Sequence, residues 1–178
     1  MTEDRLVVLL DDAGRPMGTM PRDAVHGTDT PLHLAFSCYL LGPDGRVLIT
    51  RRALTKLTWP GVWTNSFCGH PQPEEPMEAA VRRHAVDELG VTLDTLTSVL
   101  PTFRYRATDA SGVVENEVCP VFVATTSDAV VANPLEVAEW AWVGMSELAE
   151  VARATPQLLS PWSVLQLQRL SEAMAVHT

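Results

Sequence analysis

Residues 69–91 read GHPQPEEPMEAAVRRHAVDELGV, and this stretch decides the fold of the chain. Its apolar side chains recur at helical spacing, at Met77, Ala80, Val81, Ala85 and Leu89. Pro76 suits the first turn of a helix, and Gly90 suits the position just after its end. The sequence therefore predicts a helix over 76–89, and the remaining elements are read outward from it.

Strand patterns flank this helix on both sides. Those before it cover 5–10, 33–41 and 47–53, and those after it cover 99–107, 114–125 and 138–143. Turn formers at 42–45 (GPDG) and 109–112 (DASG) favour hairpins. The long irregular stretch 56–73 precedes the helix, and loops of that length inside a compact domain are usually functional.

The C-terminal part of the chain predicts two helices, over 145–153 and 161–175. Ser160 suits the capping position of the second helix and Pro161 its first turn. Strands on both sides of one central helix, followed by these helices, predict an α+β fold of the α/β-sandwich type. A length of 178 residues fits one domain over 1–178, with the strand at 5–11 and the helices at 145–175 as elaborations.

Composition excludes several classes of function. A formal net charge of -9 argues against non-specific binding to nucleic acid or to an anionic membrane surface. The N-terminus carries acids before a short apolar run, which is wrong for a secretory signal. Three scattered cysteines do not form a disulfide framework, so we expect a cytoplasmic protein. Whether the chain is a monomer or a weak homodimer stays open.

Histidine and glutamate residues form a candidate metal-binding set. His26, His33 and His70 precede the central helix, and Glu115 and Glu117 stand two apart in a predicted strand. Period-two geometry places both carboxylates on one face of that strand, where a cation would offset the cost of burying them. Nitrogen and oxygen donors of this kind suit Mn²⁺, Zn²⁺ or Mg²⁺, although each residue alone is also compatible with a structural role.

One cysteine differs from the other two. Cys68 is followed by Gly69, which permits close approach of the backbone to a ligand, and His70 lies two positions further on. A nearby metal or imidazolium would perturb the pKa of this thiol. Cys38 and Cys119 lie in apolar strands, and we expect both to be structural.

The segment 69–91 resembles the Nudix signature, a loop and helix that present carboxylates to a metal-bound diphosphate. The matching positions are Gly69, Glu75, Arg83, Asp87, Glu88, Gly90 and Val91. His84 stands where the Nudix pattern has glutamate, which depletes the acidic set that Nudix hydrolases use. This resemblance implies a Nudix-like mixed β-sheet flanked by helices.

Six further motifs narrow the resemblance to type 1 isopentenyl diphosphate isomerases. They are TPLHLAFSCYL (30–40), ITRRA (49–53), WPGVWTNSFCGHP (59–71), FRYRATD (103–109), GVVENEVCPVF (112–122) and LSPWSV (159–164). The family interconverts isopentenyl and dimethylallyl diphosphate through a tertiary carbocation, by adding and removing protons. The resemblance covers roughly residues 5–170.

The resemblance also implies roles for individual residues. Cys68 and Glu117 would be the opposed acid and base, assisted by Tyr105 as hydrogen-bond donor and Trp162 as the cation–π partner. The diphosphate would be bound by Arg22, Arg52, Lys56 and Arg83. One Mn²⁺, Zn²⁺ or Mg²⁺ would be held by His26, His33, His70, Glu115 and Glu117. A substrate-bound Mg²⁺ would be held by Glu88 and the backbone carbonyl of Cys68.

Several alternatives stay open at this point. A Nudix-type diphosphate hydrolase, a non-enzymatic binder of prenyl diphosphates and an isomerase of a modified prenyl diphosphate share most of these motifs. His84 disfavours the hydrolase, and the retained Cys68 and Glu117 disfavour the binder. The motifs leave open which ion is resident and which of the two groups protonates the alkene.

Overall fold

Two mixed β-sheets and four helices make up the computed structural model, which describes residues 5–175, with side chains through residue 170. Residues 1–4 and 176–178 of the predicted domain lie outside the described residues. The strands are β1 Leu6–Leu10, β2 Pro16–Pro21, β3 His33–Leu34, β4 Phe36–Leu41, β5 Val47–Arg52, β6 Trp63–Thr64, β7 Phe67–Gly69, β8 Thr95–Leu100, β9 Arg104–Thr108, β10 Val114–Val118, β11 Val121–Thr125 and β12 Val137–Val143. The helices are α1 Arg22–Val25, α2 Met77–Leu89, α3 Met145–Ala154 and α4 Pro161–Ala175, with a 3₁₀ turn at Pro156–Leu158.

The sheets differ in size and composition. The smaller has the strand order β2-β1-β3-β10-β9, and the larger has β12-β5-β4-β11-β8 with β6 and β7 added on β5 and β4. β10 runs parallel to β3, and β11 runs parallel to β4. The predicted α+β class with a mixed sheet is confirmed.

Three predicted strands were wrong as single units, because the chain passes from one sheet to the other within each of them. The segment 33–41 divides at Ala35, 99–107 divides at 101–103, and 114–125 divides at 119–120. Ala35 donates its backbone N–H to Val118 at 2.9 Å at the crossing. The side chains on both sides of Ala35 are mostly buried, so the apolar pattern does not reveal that change of sheet, whereas Pro101 and Thr102 at the second crossing are exposed. We call the boundary between the two sheets the seam.

Period-two alternation in β4 builds a core on each side of the larger sheet. Phe36, Cys38 and Leu40 pack with the apolar face of α2. Tyr39, on the opposite face, packs with Trp162 and the C-terminal helices. Burial of one residue set against α2 and the other against α4 gives the predicted sandwich.

The ends of the main helices follow the predicted signals. α2 begins after Pro76 and ends at Gly90, which has φ 65° and donates its N–H to carbonyls of the last turn. Only a residue that tolerates this left-handed conformation suits the position. Ser160 accepts the N–H of Ser163 at 3.3 Å and so caps α4.

The structure contains elements that the sequence patterns did not predict. β2 pairs antiparallel with β1, and the short strands β6 and β7 organise the stretch predicted to be irregular. β2 is largely exposed and includes two prolines and a glycine, which are poor strand signals. None of the described helices is long and apolar enough to cross a bilayer.

Candidate active site

A cavity of about 1210 Å³ opens at the seam between the two sheets. Its walls include nearly all of the side chains that the sequence predicted for the site: Arg22, His26, Arg52, Lys56, Cys68, His70, Arg83, Glu88, Tyr105, Glu115, Glu117 and Trp162. His33 is the exception, since it is fully buried beneath the wall. Residues that lie up to 140 positions apart in the chain are therefore brought together around one space.

The centre of the site is a row of side chains across three strands of the smaller sheet. Glu117 on β10 is in register with His33 on β3 on one side and with Tyr105 on β9 on the other. Its Oε1 lies 3.4 Å from His33 Nε2, and its Oε2 accepts the hydroxyl of Tyr105 at 2.9 Å. Strand pairing thus fixes both oxygens of this buried carboxylate.

Three imidazoles surround this carboxylate. The ring centroids of His26, His33 and His70 lie 5.1–5.8 Å apart, and His70 Nε2 is 3.2 Å from Glu117 Oε1. One ligand atom from each histidine and one from Glu117 fall within 4.8 Å of one another. His33 Nδ1 donates to the carbonyl of Pro31 at 2.9 Å, which leaves its Nε2 lone pair facing the cluster.

Unpaired polar atoms at this cluster fit a divalent cation. Nε2 of both His26 and His33 and Oε2 of Glu115 are buried without a hydrogen-bond partner among the described residues. His26 Nε2 and Glu115 Oε2 lie 2.9 Å apart, a contact without hydrogen-bond geometry. Thr58 holds the other oxygen of Glu115 at 2.7 Å. Buried donors and acceptors are rarely left unpaired, so these atoms together are suited to an ion.

The charges of the cluster depend on one another. Burial acts to raise the pKa of Glu117, but the adjacent imidazoles of His33 and His70 outweigh it and hold that pKa well below its usual range. Burial lowers the pKa of His70 to about 3. Burial also acts to lower the pKa of His33, yet the adjacent carboxylate of Glu117 raises it overall. The result is an ionised carboxylate next to a neutral His70, which is the protonation state that ligates metals.

The thiol of Cys68 lies on the larger sheet, on β7. Its Sγ donates to Asn65 Oδ1 at 3.3 Å and lies 3.3 Å from the hydroxyl of Ser37, its register partner on β4. Burial raises the pKa of this thiol to about 11, partly offset by the hydrogen bond from Ser37. Cys68 therefore carries its proton at neutral pH.

An aromatic wall, formed by Tyr105 and Trp162, lines the same cavity as the thiol and the carboxylate. Trp162, at the start of α4, is almost fully buried, and its ring centroid is 5.8 Å from that of Tyr105. Trp59 packs edge-on against Trp162 at 5.3 Å. The guanidinium of Arg52 lies 5.5 Å from the centroid of the Trp162 ring, which shows that a cation can occupy the face of this indole.

The four predicted basic residues share the cavity but not the same environment. Arg83 donates to both oxygens of Glu75, at 2.9 and 2.7 Å, and to the carbonyl of His70 at 3.3 Å. Lys56 contacts Glu136, and Arg52 donates to Thr58. Three of the four thus have protein partners already, whereas the structure shows Arg22 lining the cavity at the start of α1.

His84, the residue that departs from the Nudix pattern, is buried against β7, the strand that carries the thiol. His84 Nδ1 is 2.7 Å from Glu88 Oε1, and the His84 ring packs edge-on against Phe36 at 5.3 Å. The Nudix pattern has a glutamate at this position, where its carboxylate would contribute to binding metal. In this chain the imidazole ring of His84 packs against Gly69 and contacts Glu88 instead. Glu88 remains at the cavity wall, outside the four-residue metal cluster.

Sequence reasoning missed several polar residues that support the site. Asn65, Ser37 and Gln166 are fully buried and connected to Cys68 by hydrogen bonds, and Glu136 lines the cavity next to Lys56. A polar residue inside an otherwise apolar strand, as Ser37 is in β4, was the one available signal. The other contacts depend on how α4 docks, which no local pattern encodes.

Comparison with known proteins agrees with this architecture. The NUDIX domain family matches residues 31–162. The chain is 61% identical over 165 residues to an isopentenyl-diphosphate Delta-isomerase of Agromyces mediolanus, covering 93% of this chain and 80% of the relative. It is 56% identical over 176 residues to the isopentenyl-diphosphate Delta-isomerase of Paenarthrobacter aurescens (strain TC1), covering 99% and 96%.

Solved structures support the fold independently of sequence similarity. DR0079 from Deinococcus radiodurans superposes with a TM-score of 0.69 at 20% identity, covering 92% of this chain and 98% of that one. The MutT protein from Methanosarcina mazei Go1 superposes with a TM-score of 0.64 at 17% identity, covering 80% and 95%. At these identities the likeness concerns the fold alone.

Proposed function

The chain belongs to the NUDIX-domain isopentenyl-diphosphate Delta-isomerases, and we propose that it interconverts isopentenyl and dimethylallyl diphosphate in isoprenoid biosynthesis. The observation that carries the proposal is that the Cys68 thiol and the Glu117 carboxylate line one cavity, together with the aromatic wall of Tyr105 and Trp162. Two proton-transfer groups around a five-carbon chain are what this double-bond shift requires.

The reaction needs one acid and one base. A proton is added to the terminal alkene carbon C4, which leaves a tertiary cation at C3, and a proton is then removed from C2 to form the new double bond. The Cys68 thiol is protonated and Glu117 is ionised in the resting structure, so the pair holds one transferable proton and one acceptor. The reverse reaction exchanges the two roles, and Tyr105 is placed to relay a proton at Glu117.

The cation must be stabilised without being trapped. The buried face of Trp162 offers electron density without a nucleophilic atom, and cation–π attraction in a site without water is worth about 2 kcal/mol. Arg52 already lies near this face, and its guanidinium would bind the diphosphate in the same cavity. Arg22, Lys56 and Arg83 are the other proposed diphosphate ligands, because all line the cavity.

A divalent ion fits the cluster of His26, His33, His70 and Glu117, and we propose Mn²⁺, Zn²⁺ or Mg²⁺ there. The unpaired Oε2 of Glu115, next to His26, would be a further ligand. When bound, the ion would neutralise the carboxylates and tune the proton affinity of Glu117. Glu88 and the Cys68 carbonyl would hold a second ion, Mg²⁺, that arrives with the diphosphate. The free thiols of all three cysteines support a cytoplasmic location.

Turnover in heavy water tests the proposal directly. We expect the protein, with Mg²⁺ and isopentenyl diphosphate, to form dimethylallyl diphosphate that carries deuterium at carbon, with no release of phosphate. Mass spectrometry and a phosphate assay measure the two products in one reaction. Release of phosphate without isomer would support the hydrolase alternative instead, which the names of the relatives and the buried His84 disfavour.

A further inference from the structure

Asn65 lies at the centre of a hydrogen-bond network beneath the cavity. Its side chain is fully buried in the link between β6 and β7, and its Nδ2 donates to the carbonyls of Cys38 at 3.0 Å and Phe67 at 2.8 Å. Both partners can only accept, so the amide nitrogen must face them and the oxygen must face the other way. The orientation of this amide is therefore determined by its surroundings.

The amide oxygen accepts three hydrogen bonds. They come from Thr64 Oγ1 at 2.8 Å, from Trp162 Nε1 at 3.0 Å and from Cys68 Sγ at 3.3 Å. An indole nitrogen can only donate, so the bond from Trp162 has a fixed direction. One oxygen thus holds both the thiol that transfers a proton and the ring that faces the cation.

The two backbone carbonyls that bind the Asn65 side chain hold this arrangement rigidly. Cys38 and Phe67 are register partners in the antiparallel pair of β4 and β7, so the amide is attached to two strands of the larger sheet. Trp162 belongs to α4, which packs on that sheet from a distant part of the chain. The bond between Asn65 and Trp162 therefore fixes the helix side of the cavity relative to the sheet side.

We propose that Asn65 is a positioning residue for the isomerisation, which acts by fixing the Cys68 sulfur and the Trp162 ring relative to each other. The inference rests on the proposed function. The cation forms as the proton moves, so ring and sulfur must be in place at the same moment, and a misplacement of about 1 Å can lower the rate about 100-fold. The effect belongs to the transition state, so it appears in kcat rather than in KM.

A double-mutant cycle tests this coupling. Asn65→Ala should lower kcat about 100-fold, and Trp162→Phe, which keeps an aromatic face but removes the N–H donor, about 10-fold, with KM within about twofold for both. The loss of kcat in the double variant should be clearly smaller than the product of the two single losses, because both changes break the hydrogen bond from Trp162 to Asn65. The matched control is Thr64→Val, which removes another donor to the same oxygen and should keep kcat within about twofold.

Three results would overturn the inference: independent, multiplying effects in the double variant, an unchanged kcat in Trp162→Phe, or an equal loss of kcat in Thr64→Val. Should Asn65→Ala fail to fold in a thermal melt, the comparison of Trp162→Phe with Thr64→Val decides alone. Formation of no dimethylallyl diphosphate by the unmodified protein would instead defeat the proposed function. Failure of the two proposals is thus distinguishable.

Discussion

The imidazole ring of His84 lies directly under Gly69, so close that a Cβ atom added at Gly69 would be 2.5 Å from His84 Cε1 and Nε2. The glycine of the thiol-bearing strand and the histidine that interrupts the Nudix pattern are thus two parts of one contact. The His84 ring packs against β7 at Gly69, and its Nδ1 lies 2.7 Å from Glu88 Oε1. The departure from the Nudix pattern is accounted for by packing.

Gly69→Ala should destabilise the protein, because the added methyl group overpacks the contact with His84. The expected loss is about 1–3 kcal/mol in the free energy of unfolding, measured by urea denaturation. Combining it with His84→Ala should recover part of that loss relative to the sum of the single changes. Gly18→Ala is the control, since nothing lies within 4 Å of a Cβ added there. Equal stability of Gly69→Ala and Gly18→Ala would contradict the packing account.

Cys68→Ala and Glu117→Gln should each lower kcat at least about 1,000-fold, because each removes one of the two proton-transfer groups. Circular dichroism should show that both variants fold. Cys38→Ala is the matched control, because this cysteine is buried against α2 on the other face of β4 and should lose stability without losing kcat by more than about twofold. Near-normal turnover by either active-site variant would rule out the assigned pair.

Removal of divalent ions should abolish activity and lower the melting temperature, because the two buried carboxylates of Glu115 and Glu117 then lack a compensating cation. Restoring an ion at about 100 times its dissociation constant should return about 2.7 kcal/mol of stability. Calorimetry with and without a chelator, with metal content measured by elemental analysis, gives the comparison. An unchanged melting temperature after confirmed metal loss would show that the cluster needs no ion.

The ion pair between Glu75 and Arg83 should contribute stability that is lost at acidic pH. Hydrogen bonds from Arg83 lower the pKa of Glu75 below its usual 4.5. The stabilisation is therefore fully present above pH 4.5 and is lost as the pH falls through the lowered value. The difference in unfolding free energy between the wild type and Glu75→Gln should shrink over that range, as measured by urea denaturation at several pH values.

The control for this titration is Glu78→Gln, in the first turn of the same helix. Glu78 has no ion-pair partner among the described residues, so its substitution should give a small difference with little dependence on pH over the same range. A Glu75→Gln difference that stays constant down to pH 3 would mean that the contact with Arg83 contributes no net stability.

The sequence predicted the helix α2, the class of fold and most of the cavity wall. Helical spacing and capping are local, and they placed α2 within one residue of its observed start. Passage between the sheets at Ala35 was not predictable, because both halves of that segment are apolar and buried. The roles assigned to Cys68 and Glu117 remain predictions, although the structure lines one cavity with both.

The hydrogen-bond network around Cys68 could not be predicted from the sequence, for a different reason. The bond from Trp162 to Asn65 joins residues 97 positions apart, and it exists only once α4 has docked on the larger sheet. No local pattern carries such a contact, and an asparagine in a predicted loop ordinarily suggests a turn. The same holds for Gln166, one helical turn after Trp162 in α4, which donates to Ser37 at 2.9 Å.

The site takes its residues from both sides of the seam, and this affects how the fraction of active protein in a preparation can be measured. His33, Tyr105 and Glu117 come from the smaller sheet, whereas Cys68 and Arg52 come from the larger one. Each sheet keeps its own hydrogen bonds if the two separate slightly, so the far-ultraviolet spectrum would hardly register the damage. Batches that look identical by spectroscopy can therefore differ in the fraction of competent molecules, and only titration with substrate or metal would count them.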